Sequence, residues 1–149
     1  MKFLIYITLA VGVLYAYQNA LQTPEKAVVA YYDAMNSADI NALEEVMVKS
    51  SFDMTIEVWA LSKTFEDRLF ANTLKKYGQN TQIDNEVRAV VRQKLKNSKP
   101  KTISELESTS LGLNRCMVRY KEDGKPKQLY TSIQNNEWKI NYEAGRKVN

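Results

Sequence analysis

The stretch LNRCMVRYKEDGK, residues 113–125, decides the fold of this chain. Its first nine side chains alternate between two faces, which is the period of a β-strand. An Asp-Gly pair follows at 123–124 and is typical of a tight hairpin turn, so we predict pairing with the next run, residues 128–134. The residues that share one face of the first strand are Asn114, Cys116, Val118 and Tyr120.

The strand period extends on both sides of this hairpin. Pro100 marks the change from helical to strand period, and residues 101–110 are predicted to form an earlier strand. Two asparagines at 135–136 turn the chain into residues 137–143, where large apolar side chains again alternate with polar ones. We therefore predict an antiparallel meander of about four strands that buries one face.

Helical spacing dominates the sequence between the first 22 residues and Pro100. Thr23 before Pro24 indicates one helix start, and Asp39 indicates the N-cap of a second helix. The fold class is therefore α+β, with three or four helices packed on the sheet. The predicted helices run from Pro24 to about Asn36, briefly after Asp39, through a longer stretch to Gly78, and from about Thr81.

Residues 1–22 form a hydrophobic leader, predicted as an N-terminal hydrophobic helix. Lys2 carries its only charge, and a long apolar run follows, as in secretory signals and signal anchors. Cleavage after Ala16 or Ala20 would put Leu14 or Gln18 at the third-last position of the removed segment, where signal peptides carry a small residue. We therefore favour an uncleaved anchor over a cleaved signal peptide. Membrane contact is then expected through residues 3–22.

This leader sets the expected location. The domain, residues 23–144, is predicted to lie outside the cytoplasm in the cell envelope, anchored in the inner membrane. If the leader is removed, the protein is instead secreted or periplasmic. Residues 145–149 are predicted to be a short polar tail.

Composition excludes several chemistries. The chain has no histidine, so Ser-His and Cys-His nucleophile activation and His-ligated metal sites are absent. Cys116 is the only cysteine and is predicted to be a small buried residue, with an intermolecular disulfide or a reactive thiol as the alternative. We expect no metal and no cofactor. The net charge of +4 permits contact with anionic lipid or polymer without requiring it.

Two segments carry a family resemblance: residues 23–43, TPEKAVVAYYDAMNSADINAL, and residues 130–140, YTSIQNNEWKI. Together they resemble the nuclear-transport-factor-two-like superfamily, especially its small secreted or membrane-anchored bacterial members. The resemblance implies a curved antiparallel sheet that wraps the helices into a cone with a cavity. It also implies either catalysis by Asp with His or Tyr inside the cone, or binding without catalysis. Because this chain lacks histidine, no catalytic residue is carried across.

The anchor followed by such a cone is also similar in layout to the periplasmic domain of the inner-membrane scaffold protein of type IV secretion machines. That similarity implies a subunit of an envelope-spanning assembly.

Five aromatic residues are candidates for lining a ligand cavity, and core packing is the alternative for each. A basic row on the last helix is a candidate docking patch for anionic lipid, wall polymer or an acidic protein, and a solvated face is its alternative. Nucleic acid is not an expected partner, because no groove-reading or RNA-binding signature is present. The cavity candidates are Tyr31, Trp59, Tyr120, Trp138 and Tyr142, and the basic row is Arg88, Arg92 and Lys96, with Lys94, Lys99 and Lys101 nearby.

The leading functional hypothesis is a non-catalytic envelope protein that binds a partner protein or a small apolar ligand. The first alternative is a cone-type isomerase or hydrolase that uses a buried carboxylate with a tyrosine. A closed pocket with a carboxylate near Tyr31, Tyr32 or Tyr120 would favour that enzyme. The second alternative is a subunit of an envelope-spanning, secretion-type assembly.

Overall fold

Helices precede strands in this protein, as the change of period at Pro100 predicts. The computed structural model describes residues 23–66 and 81–145, so the leader, the stop at Gly78 and most of the polar tail lie outside the described residues. The helices are α1 (Pro24–Ser37), α2 (Ile40–Val46), α3 (Lys49–Glu66) and α4 (Thr81–Asn97). The strands are β1 (Ile103–Gly112), β2 (Arg115–Glu122), β3 (Lys125–Gln134) and β4 (Glu137–Ile140).

Side chains before α1 and α2 fix where these helices begin. The Thr23 hydroxyl accepts a hydrogen bond from the Lys26 amide, and Pro24 occupies the first turn. Asp39 accepts hydrogen bonds from the amides of Asn41 and Ala42, both at 3.1 Å. Ala38 between the two helices has φ 55°, a left-handed C-cap that reverses the chain.

The sheet is an antiparallel meander in the order β1-β2-β3-β4. Two of its hairpin turns are tight, with positive φ at both central residues: 49° and 80° at Asp123 and Gly124, and 53° and 63° at Asn135 and Asn136. Such turns match the twist of paired strands and favour Asn, Asp and Gly. The two predicted hairpin turns are confirmed.

Helix α1 lies on the sheet and contacts all four strands. The face of β2 that carries Val118 and Tyr120 is buried beneath it, and Ile140 of β4 is fully buried. Each fully buried aliphatic side chain contributes about 1.5–3 kcal/mol relative to an exposed one. The side chains that are fully excluded from solvent include Val28, Ile40, Leu43, Val91, Val118 and Ile140.

The β4 edge of the sheet is bridged by the link between α2 and α3. Met47 forms a parallel bridge with Ile140, and the Val48 amide donates to the Ile140 carbonyl at 2.9 Å. These contacts satisfy part of an edge that would otherwise be unpaired.

Two details of the predicted strands are wrong. Tyr142 lies in a turn after β4, because the chain leaves the sheet at Asn141 and the Tyr142 amide donates to the Ser51 hydroxyl on α3. Asn114 lies in the β1–β2 turn with φ 61° instead of on the face of β2. Within residues 23–66 and 81–145, no helix is long and apolar enough to cross a membrane.

Candidate functional site

Four tyrosines meet between α1 and the sheet. Tyr31 and Tyr32 project from α1, Tyr120 from β2, and Tyr142 from the turn after β4. The Tyr31 and Tyr142 hydroxyl oxygens lie 3.3 Å apart, and those of Tyr32 and Tyr120 lie 3.0 Å apart. The rings of Tyr31 and Tyr32 meet edge to face with centroids 5.3 Å apart. We call these four residues the tyrosine cluster.

A carboxylate completes this cluster. The Tyr32 hydroxyl donates to Oε2 of Glu122, whose Oε1 lies 3.5 Å from the Lys101 ammonium. A phenol has one proton to donate, so Tyr120 is the donor in its bond with Tyr32. Glu122 was not among the predicted site residues. Its position beside a turn, where charged residues are usual, gave no signal that it reaches a buried phenol.

Three phenols of the tyrosine cluster, those of Tyr31, Tyr32 and Tyr120, have raised pKa values. Burial, together with neighbouring Tyr142, raises the pKa of Tyr31 far above its ordinary value. Burial and then the hydrogen bond to Glu122 raise the pKa of Tyr32 in the same way. Burial also raises the pKa of Tyr120. These phenols stay neutral through the physiological range and are poorly suited to act as general bases there.

Trp59 lines a cleft at the C-terminal end of α1. This Trp59 cleft has a volume of about 150 Å³ and lies between α3, the end of α4 and the link to β1. Its apolar lining comes from Met35, Trp59, Leu95 and Pro100, and its polar lining from Asn36, Lys94, Ser98, Lys99 and Lys101. An aromatic wall with cations at the rim suits an apolar group that carries negative charge.

The three lysines of the Trp59 cleft make different contacts. The Lys94 ammonium donates to the Ser62 hydroxyl at 2.6 Å, which holds it beside α3. Lys101 lies 3.2 Å from a carboxylate oxygen of Asp123, and this hydrogen bond raises the pKa of Lys101. The side chain of Lys99 is exposed at the rim.

Trp138 lines a second, larger opening near the start of α1. This Trp138 groove has a volume of about 280 Å³. Its walls carry both signs of charge, since Lys26 faces the same space as Glu45 and Glu137. The remaining lining residues are Thr23, Ala27, Ala30 and Val46.

The five aromatic cavity candidates are therefore placed in three locations. Tyr31, Tyr120 and Tyr142 belong to the tyrosine cluster, whereas Trp59 and Trp138 each line a separate surface opening. None of the four clustered tyrosines lines either opening. Sequence spacing within single elements could not separate these three environments.

The residues of the predicted basic row on α4 also lie in different environments. Arg88 pairs with Glu44 of α2 at 2.8 Å and lies over the Phe52 ring, 5.2 Å from its centroid. Arg92 and Lys96 are exposed. The lysines that line the Trp59 cleft, Lys94, Lys99 and Lys101, lie outside the predicted row because the cleft is formed by three separate segments.

Cys116 lies on β2 and is half-buried. Burial, with a smaller effect from Glu25, raises the pKa of its thiol, which disfavours the reactive thiolate. In the part of the chain that the structure describes, no group of three or more carboxylates and thiols is arranged to hold a metal ion.

Comparison of the chain with protein-family models, with curated proteins and with solved structures gave no match.

Proposed function

We propose that this chain is a non-catalytic protein of the cell envelope, held in the inner membrane by residues 3–22, whose domain binds a partner protein. The observation that carries the proposal is the tyrosine cluster. The phenols of this cluster form hydrogen bonds with one another and with Glu122, so they find their partners within the protein and need no bound ligand. Recognition is then left to the surface.

The Trp59 cleft is the proposed contact. Tryptophan is enriched among the residues that dominate binding energy, and the apolar walls of the cleft can take one side chain of a partner. Lys94 and Lys99 at the rim favour a partner segment with Asp or Glu beside that side chain. A small apolar ligand that carries a carboxylate would make the same two contacts, with the apolar walls of the cleft and with the lysines at its rim.

A photo-crosslinking experiment tests this proposal. Benzoylphenylalanine replaces Trp59 in the full chain, and membranes are irradiated before detergent extraction. We expect a crosslinked partner when the probe stands at position 59. We expect none when it replaces Lys127, an exposed residue of β3. The captured protein is then purified and titrated against the full chain.

Charge reversal supplies the decisive control. The double variant Lys94→Glu, Lys99→Glu is expected to weaken binding of that purified partner at least about tenfold. Lys127→Glu, the matched reversal away from the cleft, is expected to leave the affinity unchanged. Equal affinity for wild type and the double variant would overturn the Trp59 cleft as the contact.

The anchor is tested separately by the intact mass of the native protein. Retention of residues 1–22 supports an anchored protein, whereas a mass that begins after Ala16 or Ala20 supports a secreted or periplasmic one. The same measurement shows any covalent partner on Cys116.

The pairing of Tyr32 with Glu122 supports a second candidate, an isomerase or hydrolase of the cone type. In that case Glu122 is the base and the tyrosines orient the substrate. Turnover of an ester or ketone in a substrate panel, abolished by Glu122→Gln and retained by Trp59→Ala, would favour the enzyme over the binding protein.

An envelope-spanning assembly is the third candidate, suggested by the layout of an anchor followed by a cone-like domain. Partners that co-purify only when residues 1–22 are present would favour it. Partners that remain after removal of those residues would favour recognition by the domain.

A further inference from the structure

One end of the domain carries exposed aliphatic side chains. Leu113 at the β1–β2 turn is 93% exposed, and Leu111 and Ile133 are each 37% exposed. The Ile133 amide donates to the Asn114 carbonyl at 2.9 Å, so the end of β3 is fastened to the β1–β2 turn. We call Leu111, Leu113 and Ile133 the hairpin patch. Single exposed aliphatic residues are ordinary, whereas several at one end of a domain can form an interaction surface.

Helix α1 begins at this same end. Although partial burial opposes ionisation, hydrogen bonds from Ser108 lower the pKa of Glu25 in the first turn of α1, so that turn lies against the outer half of β1. At the other end of α1, Asn36 exchanges two hydrogen bonds of 2.8 Å with the backbone of Lys101. The helix has 14 residues and spans about 20 Å.

The start of α1, which directly follows the hydrophobic leader in the sequence, therefore lies toward the end of the domain that carries the hairpin patch. The leader ends at Gln22, and Thr23 caps α1 directly afterwards. If residues 3–22 lie in a bilayer, the end of α1 next to Ser108 lies at the bilayer surface, and the Trp59 cleft at the Asn36 end points away from it.

The charge of the hairpin suits a lipid surface. Residues 108–121 contain no Asp or Glu, and Arg115 lies at the turn end of this range. The Arg115 guanidinium lies close to Gly112 at the turn, with 3.9 Å between its Nη2 and the position of a Cβ built on that glycine. Aliphatic side chains beside a cation match the boundary between acyl chains and phosphate headgroups.

We propose that the hairpin patch rests in the headgroup region of the membrane that holds residues 3–22, and that this second contact directs the Trp59 cleft into the envelope. The proposal rests on the anchored location given under the proposed function. It adds a lipid-binding surface to the domain and defines the orientation of the domain relative to the bilayer.

Site-directed spin labelling of the full chain in lipid nanodiscs tests the proposal. Because Cys116 is the only cysteine, Cys116→Ser provides a background in which Leu113→Cys carries one label. Lys125→Cys, exposed at the opposite end of the sheet, is the matched control. Power saturation compares collisions with oxygen, which concentrates in lipid, and with a water-soluble nickel chelate.

We expect the label at position 113 to collide more with oxygen than with nickel, and the label at 125 to show the reverse. Failure of the chain to float with the nanodiscs would overturn both the anchor and the proposal. A chain that floats while position 113 collides mainly with nickel would overturn the hairpin contact alone.

Two further results would also overturn the lipid contact. Spin–spin broadening at position 113 would show that a second copy of the chain covers the patch. An immobilised label shielded from both oxygen and nickel would show that residues 3–22 fold over it.

Discussion

The phenol of Tyr32 donates a hydrogen bond to the carboxylate of Glu122, although 90 residues separate them in the chain. This bond fastens the middle of α1 to the last residue of β2. Tyr120 lies on the same face of β2 two residues earlier and donates to the Tyr32 hydroxyl. Helix and sheet are therefore joined by directional hydrogen bonds as well as by apolar packing.

Tyr32→Phe tests this contact. The substitution leaves the Glu122 carboxylate without its buried donor, and we expect it to lower the free energy of unfolding by about 1–3 kcal/mol. Urea unfolding measures the change. Tyr120→Phe leaves the bond to Glu122 intact and is expected to cost less, about 0.5–1.5 kcal/mol. Equal losses in the two variants would contradict the assigned donor directions.

Two leucines provide a matched test of the core. Leu43 on α2 is fully buried, whereas Leu113 at the β1–β2 turn is 93% exposed. Leu43→Ala is expected to cost about 2–5 kcal/mol through lost burial and a cavity. Leu113→Ala in the domain without lipid should change stability by no more than about 0.5 kcal/mol. Denaturant unfolding of both variants compares them, and a small loss at Leu43 would argue against the helix packing described above.

Asp39 is expected to stabilise the start of α2. Asp39→Ala removes the acceptor of two backbone amides, those of Asn41 and Ala42, and should cost about 1 kcal/mol. Asp39→Asn keeps an acceptor and should cost a smaller amount. Thermal unfolding followed by circular dichroism measures both, and equal losses would point to the charge of Asp39 instead of its cap.

Gly145 packs against the Tyr130 ring. A Cβ at position 145 would come within 2.5 Å of Cζ of that ring, so Gly145→Ala must displace the ring or the turn. We expect a loss of about 1–3 kcal/mol in unfolding free energy. Adding Tyr130→Ser should remove most of the clash in a double-mutant cycle. Independent, additive losses would show that the turn does not rest on Tyr130.

Stability at low pH should depend on Asp123. Hydrogen bonds from the Thr102 amide and then the Lys101 ammonium lower the pKa of Asp123 below its ordinary value of 3.8. A lowered folded-state pKa gives stability that is present above 3.8 and is lost as the pH falls through the folded value. Asp123→Asn should therefore flatten the fall in melting temperature between neutral and acid pH. An unchanged acid profile would contradict this role.

Much of the fold could be predicted from local signals. The Asp-Gly and Asn-Asn turns, the caps at Thr23 and Asp39, and the change of period at Pro100 each act over a few residues, so the sequence around them is sufficient. The end of the sheet could not be predicted in this way. The pattern at Trp138 and Ile140 continues to Tyr142, yet a hydrogen bond to Ser51 on α3 takes the chain away from β3.

The candidate site shows the same division more strongly. The sequence by itself determined that histidine chemistry is absent, that an apolar stretch precedes the domain, and that Tyr31 and Tyr32 share the apolar face of α1. Only the tertiary structure placed Tyr31 with Tyr142, Tyr32 with Glu122, and Trp59 with Lys94 and Lys99. The reason is physical: periodicity reports which face of its own helix or strand a residue occupies, whereas the partner across the interface depends on how the elements pack.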